Sequence, residues 1–255
     1  MSTEPALERE CVIAGGGPAG MVLGEEFLCL PLSRLETVDV VIDGTRLTVA
    51  DFSTLPKPDT FLVFAPQWDF LDFLAAQGAT LPGFDLRMST EATDLIVEHG
   101  RIIGVRARGP EGDLEVRSPL TVAADGRGSV LRDCPGFIAI GDAAHAMSPM
   151  FGVGVNYAIQ DAVALANAIH DDLARGDAPE EVLEAVQRRR ERPARTMQRL
   201  QRLGHRGLSR IVTATGERAL PRGLVTLLSI LSPRFRPRVA SFIGLGLLPE
   251  HSTIH

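Results

Sequence analysis

A short apolar run that ends in Gly141-Asp142 constrains the fold of this chain more than any other stretch. The four residues before it, Phe137–Ile140, match a buried strand. In an open α/β sheet, ligands bind outside the carboxyl ends of the strands. We therefore expect an α/β fold with a polar ligand beside Asp142. The alternative is a capped helix after a tight loop, with no ligand.

A glycine-containing loop connects this aspartate to a long Ala-rich helical pattern, Val155 to Leu173. The first N–H groups of a helix have no partner within the helix, and they lie at the positive end of its dipole. We expect this helix start to favour a ligand that carries negative charge. The candidate residues of the loop and helix start are Pro149, Gly152, Gly154, Val155 and Asn156.

A second glycine motif directly follows the apolar strand pattern Cys11–Ala14. Its GxGxxG glycines allow a tight turn, a close approach of backbone to a pyrophosphate, and close packing of helix on strand. A proline within the motif suits the first turn of the helix. The motif predicts a nucleotide site, and a glycine-rich turn without a ligand is the alternative. The candidate residues are Gly15, Gly17, Pro18, Ala19 and Gly20.

A third strand pattern, Leu120 to Ala124, also ends in an aspartate, at Asp125-Gly126. This repeats the arrangement at Asp142, and an aspartate that only caps a helix is again the alternative. Before it we predict a helix, Asp69 to Gln77, which Pro66-Gln67-Trp68 opens. We also predict an antiparallel β-meander with strands at Asp85–Arg87, Ala92–Glu98, Arg101–Arg108 and Leu114–Arg117.

Two places depart from a complete dinucleotide fold. Val38 to Val49 matches an antiparallel hairpin with a type I′ turn at Asp43-Gly44, where a second parallel strand with a ribose-binding acid is expected. The connection from Gly126 to Gly136 is at the lower limit for a crossover between parallel strands. We infer that a segment is missing between Gly24 and Leu30. At the second place, either the connection is unusually tight or a segment is missing around Asp133-Cys134.

The last third of the sequence predicts helices. Pro179 to Arg192 is a charged helical pattern that we expect Pro193 to stop, and its Arg188–Arg192 run is interpreted as a solvated face. Further helices are predicted at Arg195–Ile211 and Leu220–Leu231, and Gly176 is a predicted helix end. The apolar tail around Ser241–Leu248 is expected to pack on the body.

Composition restricts the class of protein. The formal charge of −6 gives no general attraction to nucleic acid or to anionic membranes. Three cysteines leave one unpaired in any disulfide scheme and form no CxxC pair, which fits a reducing compartment. The polar, acidic start predicts no signal peptide. We expect a cytoplasmic protein without stable membrane association, and the histidines show no spacing typical of a metal site.

In this order, the three motifs at Gly15–Gly20, Ala124–Gly126 and Gly141–Asn156 resemble the single-component FAD-dependent aromatic hydroxylases, which are similar to para-hydroxybenzoate hydroxylase. The resemblance implies a Rossmann-like FAD-binding domain with a parallel sheet and a meander, residues 1–175, and a C-terminal helical region, residues 176–255. A remnant of the substrate domain would lie around residues 37–66. Most of the substrate-binding sheet would be missing.

The resemblance also implies the roles of the candidate residues. The glycines of the first motif would hold the pyrophosphate, and Asp142 would accept a hydrogen bond from a ribityl hydroxyl. Asp125 and Gly126 would lie near the pyrophosphate, and Gln67 would contact the cofactor. The loop from Pro149 to Asn156 would lie against the isoalloxazine ring.

The implied activity is hydroxylation of an aromatic or polyketide-like small molecule. NAD(P)H would reduce FAD, and O₂ would form a hydroperoxide at flavin C4a. No catalytic acid or base is assigned, and His145 is interpreted as a structural hydrogen-bond donor. Another FAD-dependent oxidoreductase, such as a reductase or halogenase, and a non-catalytic FAD-binding module stay as alternatives.

Overall fold

A computed structural model describes residues 6–15, 33–42, 45–57, 59–64, 66–126, 137–148, 152–213 and 222–253. The strands are β1 (Leu7–Glu8), β2 (Cys11–Ala14), β3 (Ser33–Leu35), β4 (Thr37–Ile42), β5 (Thr45–Asp51), β6 (Leu62–Phe64), β7 (Glu91–Glu98), β8 (Arg101–Gly109), β9 (Gly112–Arg117), β10 (Leu120–Ala123) and β11 (Ile138–Ala139). The helices are α1 (Gln67–Ala79), α2 (Asp142–His145), α3 (Gly154–Leu173), α4 (Glu180–Thr213) and α5 (Arg222–Gly244).

A parallel sheet of β11, β10 and β2, in that order, positions the candidate site. Ala123 is paired with Ala14 on one side and with Ala139 on the other, so the three strands end at the same level. The ladder continues past the strands, because the Ala124 N–H donates to the Ala14 carbonyl at 2.7 Å. The predicted strands at Cys11–Ala14 and Leu120–Ala124 are confirmed.

The central strand β10 is buried on both faces, which explains why its residues are mainly apolar, with Thr121 as the exception. Leu120 and Val122 point to one face, where they meet α3 and α4, and Ala123 points to the other face. The helix side of this core includes Leu165, Ile169, Leu183 and Val186. The opposite side includes Leu95, Ile102, Val105 and Val116 of the meander.

The antiparallel meander of β7, β8 and β9 is confirmed, and β1 adds to it in parallel with β9. His99 and Gly100 have φ of 51° and 78°, as a type I′ hairpin turn requires. The predicted strand Asp85–Arg87 is wrong, because these residues form no ladder. The Asp85 carboxylate instead binds Arg9 and Arg87 at the surface, at 3.2 Å and 3.1 Å.

Two antiparallel strand pairs lie between β2 and α1 in the order of the chain. The predicted hairpin is confirmed as β4 and β5, although its turn at Asp43-Gly44 lies outside the described residues. The second pair joins β3 to β6. Phe52 and Ala50 pack against Ala240 and Ile243 of α5, so this region is anchored to the C-terminal helix.

Helix α4 continues through Pro193, so the predicted stop at this residue is wrong. A proline inside a helix costs about 3 kcal/mol because it removes a hydrogen bond and clashes with the preceding turn. Burial of the residues that follow Pro193 in the helix offsets this cost, since Ala194 and Met197 are 1% and 0% exposed. Helix α5 likewise continues to Gly244 through two prolines, well beyond the predicted end at Leu231.

Helix α3 agrees with its prediction within one residue, and Gly176 ends it in a left-handed conformation with φ of 76°. The predicted α/β class, with a parallel sheet, a meander and C-terminal helices, is confirmed. The division into domains at residues 175 and 176 stays a prediction. Within the described parts of the chain, no helix combines the length and the apolar character that crossing a bilayer requires.

Candidate functional site

Three strand ends meet at one edge of the parallel sheet: Gly15 after β2, Asp125 after β10, and Asp142 after β11. The register of the sheet forces this arrangement, because the strands are parallel and paired without offset. These three residues therefore lie at one edge of the parallel sheet, and their contacts with a cofactor stay predictions. Gly17, Pro18, Ala19, Gly20 and Pro149 lie outside the described residues, and their roles stay predictions.

Gly15 cannot be replaced without moving the backbone beside it. Its φ is 123°, and a Cβ added there would lie 2.3 Å from the carbonyl carbon of Ala124 and 2.6 Å from the Asp125 nitrogen. Real Cβ atoms essentially never approach backbone so closely. The missing side chain therefore lets the first glycine turn touch the turn at Asp125.

The two aspartates occupy different local settings. Asp125 is exposed, and Gly126 after it has φ of 84° with open space where a Cβ would point. Asp142 is half-buried in the first turn of α2, where a carboxylate is favoured by the helix dipole. Gly141 before it has φ of 59°, so a glycine makes the turn that presents Asp142.

The start of α3 also faces open space. A Cβ at Gly152 or Gly154 would meet no atom of the described residues within 4 Å. Val155 is 43% exposed, so an apolar side chain borders this opening. The Asn156 amide donates to the Gly244 carbonyl at 3.1 Å, so its side chain ties the helix start to α5.

Gln67 is exposed at the first position of α1, and Trp68 beside it is 77% exposed. The buried face of α1, formed by Phe70 and Leu74, packs against Ile159 of α3. Helix α1 is thus fixed to the helix whose start faces the opening. A cofactor contact of Gln67 stays a prediction.

A buried carboxylate, Asp161, lies behind the Gly141–Asp142 turn and was not predicted from the sequence. Its Oδ2 accepts the Gly141 N–H at 3.0 Å and lies 2.7 Å from the His145 Nε2. Its Oδ1 accepts the Arg190 Nε–H at 2.8 Å. Despite its distance of 2.7 Å from Asp161 Oδ2, the buried His145 Nε2 makes no hydrogen bond with a described residue, so its role as a donor stays a prediction.

Arg190 is the exception to the interpretation of the arginine run as a solvated face, because it is 3% exposed whereas Arg188, Arg189 and Arg192 are exposed. It donates to Gln160 Oε1 at 3.1 Å and to the Leu248 carbonyl at 3.0 Å, in addition to Asp161. A pocket of about 230 Å³ borders this cluster, between the end of β11, α2 and α4. Asp161 lies four residues after Tyr157 and four before Leu165, so helical periodicity places all three on the buried face of α3. This periodicity was the one signal in the sequence that could have identified Asp161.

Burial raises the pKa of two ionisable groups, Tyr157 and Cys11. Desolvation raises the pKa of the Tyr157 phenol, and the hydrogen bond from the Leu247 N–H opposes this shift. Desolvation raises the pKa of the Cys11 thiol to about 11. No group of three metal-ligating side chains occurs among the residues that the structure describes.

Comparisons with known proteins agree with this geometry. The sequence model of the FAD binding domain family matches residues 135–201, which include Asp142, α3 and part of α4. The chain is 36% identical over 102 residues to 6-methylpretetramide 4-monooxygenase from Streptomyces rimosus, a match that covers 40% of this chain. The matched part spans only 23% of that enzyme.

Two solved structures are similar over most of the chain. OxyS anhydrotetracycline hydroxylase from Streptomyces rimosus has a TM-score of 0.73 and 17% identity, and the match covers 98% of this chain and 78% of that chain. The p-nitrophenol 4-monooxygenase PnpA from Pseudomonas putida DLL-E4 has a TM-score of 0.71 and 13% identity, with coverage of 94% and 98%. At these identities the likeness shows the fold. The predicted resemblance to FAD-dependent hydroxylases is thus confirmed as a likeness: the chain shares their fold, and residues 135–201 match the FAD binding domain family.

Proposed function

We propose that this chain, whose residues 135–201 match the FAD binding domain family, is the cofactor-binding part of an FAD-dependent monooxygenase. Its reaction would consume NAD(P)H, a proton and O₂, and convert an aromatic or polyketide-like ring C–H into a C–OH, with NAD(P)⁺ and water as the other products. The names of its relatives support this class, since one is a monooxygenase and another a hydroxylase.

One observation carries the proposal: Gly15, Asp125 and Asp142 lie at adjacent strand ends, and a Cβ at Gly126 would point into open space. An ionised carboxylate only accepts hydrogen bonds, so Asp142 suits a hydroxyl donor such as a ribityl chain. The backbone at Gly126 can approach phosphate oxygens because no side chain shields it, and the contact of Gly15 with Ala124 brings the first glycine turn to the same edge. These residues therefore fit a ligand that has both phosphates and hydroxyls, as FAD does.

The start of α3 fits the other end of the same ligand. FAD supplies the redox chemistry when bound, and the protein supplies binding, orientation and electrostatics. The N–H groups at Gly154 and Val155 lie at the positive end of the α3 dipole, where they would stabilise negative charge on a bound ring. The exposed side chain of Val155 would provide an apolar contact beside it.

The substrate, the nucleotide and the location belong to the same proposal. A small aromatic or polyketide-like molecule is supported by the substrates named for the relatives, and the formal charge of −6 does not favour nucleic acid. Cysteine usage fits a cytoplasmic protein. We propose NAD(P)H as the reductant on the resemblance alone.

The test is a titration of the purified chain with FAD, followed by stopped-flow mixing with NADH or NADPH and then with O₂. We expect stoichiometric flavin binding and reduction faster than that of free FAD. A chain that binds FAD but oxidises NAD(P)H no faster than free flavin would be a non-catalytic FAD-binding module. Reduction without oxygen transfer to any ring would indicate another FAD-dependent oxidoreductase, and failure to bind FAD would reject the proposal.

A further inference from the structure

Asp161 uses both of its carboxylate oxygens on different parts of the molecule. Oδ1 accepts from Arg190 of α4, and Oδ2 accepts from the backbone of Gly141 at 3.0 Å. The Asp161 side chain is only 3% exposed, so these contacts are shielded from water. Gly141 is the residue directly before Asp142, which is the candidate acceptor for a ribityl hydroxyl. The Asp161 carboxylate therefore acts on the turn that presents Asp142.

Arg190 extends the same network to the end of the described chain. One guanidinium group holds the Asp161 carboxylate, the Gln160 amide oxygen and the Leu248 carbonyl. A second carboxylate, Glu250, lies 3.6 Å from it and accepts hydrogen bonds from Nε and Nη2 of Arg189, at 2.7 Å each. The positive charge of Arg190 is therefore compensated while it is buried.

The end of α5 and the segment after it form hydrogen bonds along the first two turns of α3. Asn156 donates to the Gly244 carbonyl, Gln160 donates to the Leu245 carbonyl at 2.9 Å, and the Leu247 N–H donates to Tyr157 Oη at 3.2 Å. These contacts hold the end of α3 that faces the opening. Arg190 links them to Asp161, so the helix start and the Gly141–Asp142 turn share one support.

We propose that Asp161 is a positioning residue for FAD, holding the Gly141–Asp142 turn and the start of α3 at a fixed separation together with Arg190. This inference rests on the proposed function, because it names the supports of that FAD site. Asp161 itself would not contact the cofactor. Its effect would pass through the Gly141 backbone, and it would act on the ribityl and ring half of FAD rather than on the adenine half.

The allocation of the two oxygens distinguishes this role from a simple stabilising ion pair. Replacing a buried ion pair by apolar residues is often neutral for stability, so the pair alone is weak evidence for a stabilising purpose. Here one oxygen binds a backbone N–H in a turn that only glycine adopts easily, at φ of 59°. That contact fixes the direction in which the next residue, Asp142, leaves the sheet.

The deciding variant is Asp161→Asn in the full chain. An amide has one acceptor oxygen, so it can serve Arg190 or Gly141 but not both. We expect the dissociation constant for FAD to rise about tenfold or more, because one contact with a buried partner is lost. ADP, which lacks the ribityl and ring half, is expected to bind with unchanged affinity. The visible circular dichroism of the FAD-saturated variant should also differ from that of the wild type.

The matched control is Asp171→Asn, the same change on the same helix at a side chain that is 82% exposed. It should leave FAD binding unchanged. The inference is overturned if folded Asp161→Asn binds FAD with wild-type affinity and dichroism, or if its affinities for FAD and ADP fall by the same factor. A wild-type chain that does not bind FAD would instead reject the proposed function itself.

A second pair of variants decides the matter if Asp161→Asn does not fold. Arg190→Lys keeps the charge, but an ammonium group cannot hold Asp161, Gln160 and Leu248 in the fork geometry of a guanidinium. It should weaken FAD binding in the same selective way, whereas Arg188→Lys, at a side chain that is 66% exposed and pairs with Glu184 at the surface, should not. Equal FAD affinities of these two variants would overturn the inference.

Discussion

Gly15 lies against the peptide group between Ala124 and Asp125, so close that no side chain fits between the two strand ends. This contact joins the first glycine motif to the Asp125 turn, and the parallel register places the Asp142 turn on the same edge. The candidate FAD site is thus a property of the sheet edge rather than of any single motif.

Gly15→Ala should disrupt this edge. The added methyl group would lie 2.3 Å from the Ala124 carbonyl, and φ of 123° is strained for any L-residue. We expect a loss of several kcal/mol in the free energy of unfolding, because neither backbone can shift without breaking the ladder. Urea denaturation measures the change.

Gly126→Ala is the matched control for this clash. Gly126 also has a positive φ, 84°, but open space where the Cβ would point. It should cost only about 1 kcal/mol, the strain of an L-residue in that conformation. Equal losses for the two variants would show that packing against Ala124 is unimportant.

Asp142→Ala should weaken FAD binding without lowering the stability of the apoprotein by more than about 1 kcal/mol. Asp142 is half-buried at the site edge, and we propose that it accepts a hydrogen bond from a ribityl hydroxyl. Loss of a hydrogen bond to a charged group predicts about a ten- to hundredfold rise in the dissociation constant. Quenching of flavin fluorescence on binding measures it.

The control for Asp142 is Asp69→Ala, which removes another acid from the first turn of a helix, α1. Both variants lose the same favourable interaction with a helix dipole. Only the Asp142 variant should lose FAD affinity. Wild-type FAD affinity in Asp142→Ala would remove this residue from the site.

The sequence predicted those parts of the fold whose signal is local. β2, β10 and α3 were found because apolar runs and helical periodicity are contained within each segment. Pro193 misled the prediction because the burial of Ala194 and Met197 against other elements outweighs a local helix breaker. Asp85–Arg87 has a strand-like pattern but no neighbouring strand to pair with.

The candidate site shows the same limit. The strand-end residues Gly15, Asp125 and Asp142 follow from motif spacing and sheet topology. The Asp161–Arg190 pair does not, because its members are 29 residues apart and each looks ordinary in its own helix. From the sequence alone, the run of five charged residues at 188–192 is interpreted as solvent-exposed, because nothing in it indicates that Arg190 pairs with a buried carboxylate.

Cys11 should be unreactive in the folded protein. Burial raises the pKa of its thiol to about 11, so at pH 8 only about one molecule in a thousand carries the reactive thiolate. Treatment with iodoacetamide at pH 8, followed by peptide mass spectrometry, should label Cys11 only after the chain is unfolded in urea. Rapid labelling of the folded protein would show that β2 is exposed.

Tyr157 gives a direct optical test of the α3 packing, because it is the single tyrosine of the chain. It is 1% exposed, and desolvation of its ionised form raises the pKa of the phenol above the usual value. The absorbance of tyrosinate near 295 nm should therefore appear at higher pH in the folded apoprotein than in urea.

The stability linked to the Tyr157 phenol is fully present below the unfolded pKa and is lost as pH rises through the folded pKa. Tyr157→Phe should remove this part of the pH dependence and cost about 1 kcal/mol, since the Leu247 N–H loses its acceptor. A titration that is the same in the folded and unfolded chain would show that Tyr157 is not held beneath the C-terminal segment.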